Sequence, residues 1–180
     1  MNKTAHLYIT RILNGEVDLF GQLLAVYSRP IFLLIYRIVH NREEAEELTQ
    51  DTFLKAYRTL HRFKGECLFS TWLYRIAYNT AISATRKKKY EFLYIEEQMI
   101  DQVKDSELDE QFENQMHEQQ LDQLDKAMNS LPPDERALLL LYYTEQKTIE
   151  EIAGITKLTT ANVKVKLHRI RKKLYILLNN

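Results

Sequence analysis

The stretch TIEEIAGITKLTTANVKVKLHRIRKKL, from Thr148 to Leu174, contains two apolar repeats at helical spacing that are separated by a short polar break. Apolar residues three or four positions apart lie on one face of an α-helix. The first repeat follows Thr148 and the second follows Thr159, and threonine is a residue type that caps helix N-termini. The stretch therefore predicts a helix–turn–helix, and the apolar stripe of its second helix is Val163, Leu167, Ile170, Leu174 and Leu177.

The polar face of the predicted second helix is basic, and no acidic residue occurs beyond Glu151. The recognition helix of a DNA-binding helix–turn–helix places its early residues against base edges and its other cations against phosphates. An ordinary helical hairpin would show the same apolar spacing, so the basic face is the feature that favours DNA. The candidate DNA-contacting residues are Thr160, Asn162, Lys164, Lys166, Arg169 and Lys172.

Charge is unevenly distributed along the 180 residues, although the formal net charge is +0. Residues 1–90 hold 14 basic and 8 acidic residues, and residues 126–180 hold 10 basic and 5 acidic residues. Residues 91–125 hold 12 acidic residues against 1 basic residue. Two basic modules predict a polyanionic partner, with solvated basic faces as the alternative. We therefore expect two domains, 1–90 and 126–180, joined by an acidic flexible linker, 91–125.

Composition favours an all-α fold, because 3 prolines and 4 glycines provide little turn chemistry for a β fold. The single cysteine, Cys67, can form neither an internal disulfide nor a zinc cluster, which indicates a reducing compartment. Met1 to Ile12 lacks the apolar core of a signal peptide, and we expect no stretch that approaches the roughly 20 apolar residues of a membrane span. The predicted location is cytoplasmic.

The first module also shows helical patterns. Asn41 and Glu44 form a cap-like pair, after which Ala45, Thr52 and Ala56 belong to an inward apolar stripe. Upstream, two further apolar repeats lie on either side of the dipeptide Arg29-Pro30, where we expect one helix to end and the next to begin. A face opposite the inward stripe carries Glu47, Gln50, Asp51, Leu54 and Arg58.

Two long stretches resemble one known family. LPPDERALLLLYYTEQKTIEEIAGITKLTTANVKVKLHRIRKKL, residues 131–174, resembles region 4 of bacterial sigma factors, which binds the −35 promoter element. NREEAEELTQDTFLKAYRTLHRFKGECLFSTWLYRIAYNTAISATRKKK, residues 41–89, resembles region 2, especially that of the compact extracytoplasmic-function (ECF) group. The resemblance implies two small all-α domains, a region 2-like bundle and a region 4-like helix–turn–helix domain. One departure is Lys157, where the family pattern has glycine.

The resemblance also implies partners for individual residues. It implies that core RNA polymerase binds the face with Glu47, Gln50, Asp51 and Leu54. It assigns the −35 role to the basic helix, and it implies that the loop before Trp72 captures a flipped base of the melted −10 element. Aromatic rings beside cations suit the binding of an unpaired strand, because bases stack on the rings and the phosphates lie against the positive charges. Tyr74 and Tyr78 are excluded from this role, because we predict them to be core residues. The candidate −10 residues are Lys64, Phe69, Ser70, Trp72, Arg75, Asn79 and Arg86.

No catalytic pattern is visible in the sequence. There is no glycine-rich phosphate loop, and the 5 histidines lack the spacing of a metal site or a catalytic triad. We therefore predict a non-enzymatic sigma factor without cofactor, metal or small-molecule substrate, whose partners are core RNA polymerase, double-stranded −35 and melted −10 promoter DNA, and an anti-sigma factor. The main alternative is a conventional helix–turn–helix regulator with a sensing or dimerising domain, and a third is a helical adaptor that binds no DNA.

Overall fold

The computed structural model describes residues 2–86, 95, 97–106, 108 and 118–179. Every regular element within these ranges is helical, which confirms the predicted all-α class. Short 3₁₀ turns at 17–19 and 60–62 and a π-helical turn at 140–144 connect the helices. The helices are α1 (Asn2–Leu13), α2 (Phe20–Val39), α3 (Arg42–Thr59), α4 (Phe69–Arg86), α5 (Glu97–Gln102), α6 (Glu118–Asn129), α7 (Pro133–Leu139), α8 (Ile149–Thr156) and α9 (Thr160–Asn179).

The first unit is a bundle in which α2, α3 and α4 pack against one another. The helix α2 runs through Pro30 without a break, so the expected helix boundary at Arg29-Pro30 is wrong. Proline removes one backbone donor, whose acceptor would be the carbonyl of Val26. Val26 is 51% exposed, so water can reach that region of the helix. The apolar residues on both sides of the proline then share one buried face.

The apolar segment of α2 corrects a second expectation. Val17–Val39 is long and apolar enough to cross a membrane by length and composition alone, whereas we expected no such stretch. In the fold, α2 contacts α3, α4 and α7, and Ile31, Leu34 and Ile35 are fully buried. A helix that contacts neighbours on several sides needs apolar residues around most of its circumference. The bundle therefore accounts for the buried face of α2, whereas other apolar residues of the segment, such as Val26 and Leu33, stay exposed.

Three helix starts are capped by the side chains that the sequence predicts. The side chain of Asn41 accepts a hydrogen bond from the backbone N–H of Glu44 at 2.9 Å. Thr148 and Glu151 form a reciprocal capping box at the start of α8. The hydroxyl of Thr159 accepts from the backbone N–H of Asn162 at 3.1 Å, which starts α9. These caps satisfy backbone donors that the first turn leaves without partners.

The helix–turn–helix is formed by α8 and α9. In α9 the predicted stripe is confirmed, because Val163, Leu167, Ile170 and Leu174 are buried and Leu177 is half-buried. Lys157 lies in the turn with φ of 62°, the left-handed conformation that glycine adopts without strain. The turn therefore keeps the backbone geometry of the family pattern although a lysine occupies it.

The two units share one continuous apolar core. The helix α4 packs against α7 and α8, and α2 also packs against α7. A single cluster of buried residues extends from Ile31 and Leu73 in the first unit to Leu141, Ile152 and Val163 in the second. The predicted pair of helical modules is therefore present, and in this structure the modules are closed against each other.

The acidic segment also contributes structure. Its helix α5 lies against α9, and the helix α6 crosses the expected linker boundary between residues 125 and 126. A second, smaller apolar cluster joins this segment to the end of α9. Its buried members are Ile100, Val103, Leu108 and Ile176, with Ile95 and Tyr175 packed against them.

We predict that Lys157→Gly stabilises the protein. Glycine relieves the left-handed strain that lysine carries, by about 1 kcal/mol, which corresponds to a rise of about 2–4 °C in Tm for a chain of this size. Thermal unfolding followed by circular dichroism measures the change. Lys164→Gly is the matched control, because Lys164 lies inside α9 and glycine there should lower Tm. A fall in Tm for both variants would contradict the strain at Lys157.

Candidate nucleic-acid and polymerase interfaces

The exposed face of α3 carries the residues predicted to bind polymerase. Glu47, Gln50, Asp51 and Leu54 are all exposed, and 52% of the Leu54 surface is accessible. On the opposite side Ala45, Thr52 and Ala56 are fully buried in the bundle. The predicted division of α3 into an inner and an outer face is confirmed. An exposed leucine among polar side chains is suited to a protein contact.

A groove between α3 and α4 joins this face to the predicted −10 region. Its walls include Asp51 and Lys55 from α3 and Asn79 and Thr80 from α4. The ammonium of Lys55 donates to the Thr80 hydroxyl at 3.2 Å, which holds the two walls together. One candidate polymerase residue, Asp51, and one candidate DNA residue, Asn79, therefore lie in the same groove.

Phe69 is not available for the predicted stacking on a DNA base. Only 2% of its surface is exposed, because its ring packs against those of Tyr27, Phe63 and Trp72 at centroid distances of 5.6, 5.8 and 5.7 Å. Edge and tilted contacts of this kind are favourable for buried rings. Phe69 therefore supports the loop before α4 and holds Trp72, which is half-buried, in place. Its assignment as a DNA-contacting residue is a correction that burial imposes.

The remaining −10 candidates divide between two sides of α4. Four of them lie at helical spacing on its most exposed side, and Lys64 is exposed in the preceding loop. Ser70 lies in the first turn of α4 and is not its cap, because α4 begins at Phe69. It is nine residues from Asn79, which places it on the opposite side and about 13 Å away along the axis. The four residues that share the exposed side are Trp72, Arg75, Asn79 and Arg86. The basic residues Lys87, Lys88 and Lys89 that follow lie outside the described residues.

The first residues of α9 are exposed to solvent, whereas cations in its middle form ion pairs with acidic residues. Thr160, Asn162 and Lys164 are exposed. Further along, carboxylates of the acidic segment and of α7 pair with cations of α9. The pairs are Lys166–Asp134 at 3.9 Å, Arg169–Glu97 at 2.9 Å, His168–Asp105 at 3.3 Å and Lys172–Asp105 at 3.5 Å. Three of the six candidate DNA residues in α9 are therefore paired within the chain.

Arg136 and His40 form a polar contact between the units that sequence reasoning missed. Arg136 is 3% exposed, and its guanidinium bonds the His40 ring and the carbonyl of Ile38, the latter at 3.3 Å. Burial, reinforced by the charge of Arg136, lowers the pKa of His40, so the neutral ring can accept this bond. The sequence did contain a local indication that Arg136 is buried, because Arg136 shares a helical face with Leu139 and Leu140.

Tyr74 makes a second contact between the units. Its hydroxyl donates to the carboxylate of Glu145, and Lys147 lies 4.4 Å from the centre of its ring. Burial, followed by the bond to Glu145, raises the pKa of Tyr74, so the hydroxyl stays protonated as a donor. Tyr74 is 2% exposed, which confirms its predicted core position. Glu145 and Lys147 carry no sequence signal for this role, because they lie in a loop without periodicity.

Among the described residues, no group of three or more histidine, cysteine, aspartate or glutamate side chains could hold a metal ion. The candidate residues lie on three surfaces: the outer face of α3, the exposed side of α4, and α9.

Comparisons with known proteins agree with this organisation. Residues 23–90 match the family model described as Sigma-70 region 2, and residues 121–174 match the one described as Sigma-70, region 4. The chain is 31% identical to the ECF RNA polymerase sigma factor SigW of Bacillus subtilis, and the match covers 92% of each chain. It is 30% identical to the RNA polymerase sigma-H factor of Pseudomonas aeruginosa, over 91% of this chain and 88% of that protein.

Two solved structures share the fold. The structure of CnrH in complex with the cytosolic domain of CnrY aligns with a TM-score of 0.70 at 20% identity and covers 96% of both chains. The sigma factor RpoE of Bartonella quintana, in complex with the anti-sigma factor NepR, aligns with a TM-score of 0.65 at 23% identity and covers 89% of this chain and 96% of that one. Matches of the whole chain to ECF sigma factors, in addition to both regional models, are not expected of a conventional helix–turn–helix regulator. The chain belongs to the ECF group of sigma-70 RNA polymerase sigma factors.

Proposed function

We propose that this sigma factor divides its tasks among the three surfaces described above. The outer face of α3 binds core RNA polymerase, α9 reads the double-stranded −35 element, and the exposed side of α4 with its preceding loop holds the melted −10 strand. The observation that carries this division is the position of the candidate residues on exposed helix faces opposite buried apolar stripes. Because its partners are polymerase and promoter DNA, the chain is proposed to act in the cytoplasm as a non-catalytic initiation factor.

Within α9, Asn162 is the residue best suited to read a base. It is exposed in the first turn, and asparagine can bond bidentately to adenine in the major groove. Lys164, Lys166, Arg169 and Lys172 are better suited to phosphates, which position a protein on DNA without reading sequence. Three of these four cations must first leave their carboxylate partners within the chain.

The segment 91–125 is proposed to act as a spacer. Its 35 residues, at about 3.3 Å each when extended, reach up to about 115 Å. The −35 and −10 elements are about 25 base pairs apart, which is about 85 Å along B-form DNA. The segment is therefore long enough to let the two units reach both elements once they separate. An anti-sigma factor stays a predicted partner, to be checked by its competition with core polymerase for this chain.

The first prediction concerns polymerase binding. Asp51→Lys should weaken binding of core RNA polymerase, because it reverses a charge at the centre of the proposed face beside Leu54. The isolated variant should keep its helicity and Tm, since Asp51 is exposed. Core binding is measured by competition against a labelled wild-type chain. Asp101→Lys, the same reversal at an exposed site on α5, is the control and should bind normally. Equal binding by both variants would remove the α3 face from the interface.

The second prediction concerns the acidic segment. Glu97→Gln combined with Asp105→Asn should raise the affinity of the free chain for double-stranded DNA at low salt, since it releases Arg169, His168 and Lys172. Such ion pairs contribute about 0–1 kcal/mol each, so releasing three of them should raise the affinity by up to about a hundredfold, and the gain should shrink as salt rises. Fluorescence anisotropy with a labelled duplex measures it.

Asp101→Asn is the matched control for the acidic segment. Asp101 lies in the same helix as Glu97 and is exposed, and within the part of the chain that the structure describes no ion pair is recorded for it. An equal gain from this control would contradict specific pairing. From the sequence we also expected Asp101, Asp105, Glu107, Asp109 and Glu110 to shield the basic helix. Asp105 does pair with α9, and Glu107, Asp109 and Glu110 lie outside the described residues.

The third prediction concerns melting. Extruding a base from a duplex costs a few kcal/mol, which a protein offsets by contacts to the exposed base. Asn79→Ala should reduce transcription from duplex promoters and should spare it on templates whose −10 region is mismatched open. Ser70→Ala, on the opposite side of α4, is the control and should leave transcription from both templates unchanged. Phe69 is left unchanged, because its burial means that alanine there would damage the fold. Equal losses from Asn79→Ala on both templates, with helicity intact, would show that Asn79 does not act in melting.

A further inference from the structure

One branched apolar side chain of α9 faces outward instead of into the core. Val165 is 58% exposed, more than any other large apolar side chain among the described residues. Successive residues of a helix are rotated by about 100°, which places Val165 opposite the buried stripe that includes Val163, Leu167 and Ile170. Val165 therefore lies at the centre of the outward face of α9.

The neighbours of Val165 on this face are residues that we propose to contact DNA. Asn162, Arg169 and Lys172 all lie within about 60° of Val165 around the helix axis. Asn162 is about one turn before Val165, Arg169 is about one turn after it, and a lysine flanks it on each side in the sequence. A single apolar side chain therefore occupies the middle of a polar and basic surface.

Helix stability does not explain a valine at this position. The branched side chain restricts χ1 in a helix, so valine favours a helix less than alanine, lysine or arginine does. Burial offsets that cost at core positions, whereas Val165 keeps more than half of its surface accessible. Together with Ile95 and Ile100 of the acidic segment, Val165 lines a cavity of about 510 Å³, so the segment lies beside Val165 without covering it. The side chain is therefore available to a partner.

The major groove of DNA presents one apolar group that such a side chain can contact. Thymine carries its C5-methyl group there, whereas the other groups on the base edges are hydrogen-bond donors and acceptors. A recognition helix directs its outward face at these edges. The two methyl groups of valine can remove the thymine methyl from water, and the valine side chain has no polar atom that would need a partner in the groove.

We propose that Val165 contacts the C5-methyl group of a thymine in the −35 element. The inference rests on the proposed −35 role of α9, and it adds a base-reading residue that is absent from the candidates derived from the sequence. Val165 lies three residues beyond Asn162, which is about 4.5 Å along the helix axis, and successive base pairs are about 3.4 Å apart. The thymine should therefore lie within about two base pairs of the base that Asn162 reads.

The test replaces thymine by uracil, which forms the same base pair and lacks only the C5-methyl group. The holoenzyme of core polymerase and the full chain first selects −35 sequences from promoter duplexes in which that region is randomised. Each thymine of the selected element is then replaced by uracil in turn, and holoenzyme affinity is measured by competition against the unmodified duplex. Loss of one buried methyl group should weaken binding by about fourfold at one position.

The preference for thymine should depend on the side chain at position 165. Val165→Ser should bind thymine and uracil equally at that position, because it replaces the valine methyl groups by a hydroxyl. It should keep its helicity and Tm, since Val165 is exposed. Val165→Ile keeps the apolar branch and should retain the difference. Val26→Ser is the matched control, because Val26 is 51% exposed in α2, and it should also retain the difference.

The outcomes separate this inference from the proposed function. If the wild-type holoenzyme selects no common −35 sequence, the proposed −35 role of α9 fails, and the inference fails with it. The inference alone is overturned if the selected element contains no thymine, or if the wild-type holoenzyme tolerates uracil at every position. It is also overturned if Val165→Ser loses as much affinity with uracil as the wild-type chain does.

Discussion

The structure depends on the packing of α4, which contacts α2 and α3 in one unit and α7 and α8 in the other. Buried residues surround most of its circumference and leave a narrow exposed side. A helix in this position must satisfy both cores at once, so its apolar residues cannot be confined to one stripe. The packing of α2 and α4 against α7 and α8 joins the two cores into one. The candidate −10 residues on α4 and the helix–turn–helix are therefore oriented by the same packing.

Polar contacts between the units add specificity to this packing. Arg136 with His40 and Tyr74 with Glu145 join groups that burial would otherwise leave unsatisfied. A buried polar group without a hydrogen-bond partner costs more free energy than a satisfied hydrogen bond contributes. These pairs therefore favour this arrangement of the two units over others that would leave the groups buried and unpaired. For the same reason, the two units can separate only if water replaces each hydrogen-bond partner that is lost.

Electrostatics act on the DNA-binding surface in a different way. The carboxylates of Glu97 and Asp105 pair with cations of α9 that are proposed to contact phosphates. The two carboxylates are largely exposed, although Lys172 is mostly buried, so the pairs are weak and are screened by salt. The high local charge of DNA can therefore displace them. The apolar contacts of Ile100, Val103 and Leu108 with Ile176 hold the acidic segment at this position.

The sequence by itself determined the helices, their caps and the basic face of α9, because these features depend on residues three or four positions apart. Thr148, Thr159 and Asn41 predicted helix starts that the structure confirms. The tertiary structure decided what local patterns cannot encode. Phe69 is buried among rings from other segments, and Arg169 meets a carboxylate 72 positions away, since both outcomes depend on how distant helices pack. The packing of α8 on α4 is of the same kind, because the periodicity within each helix does not show which other helix it meets.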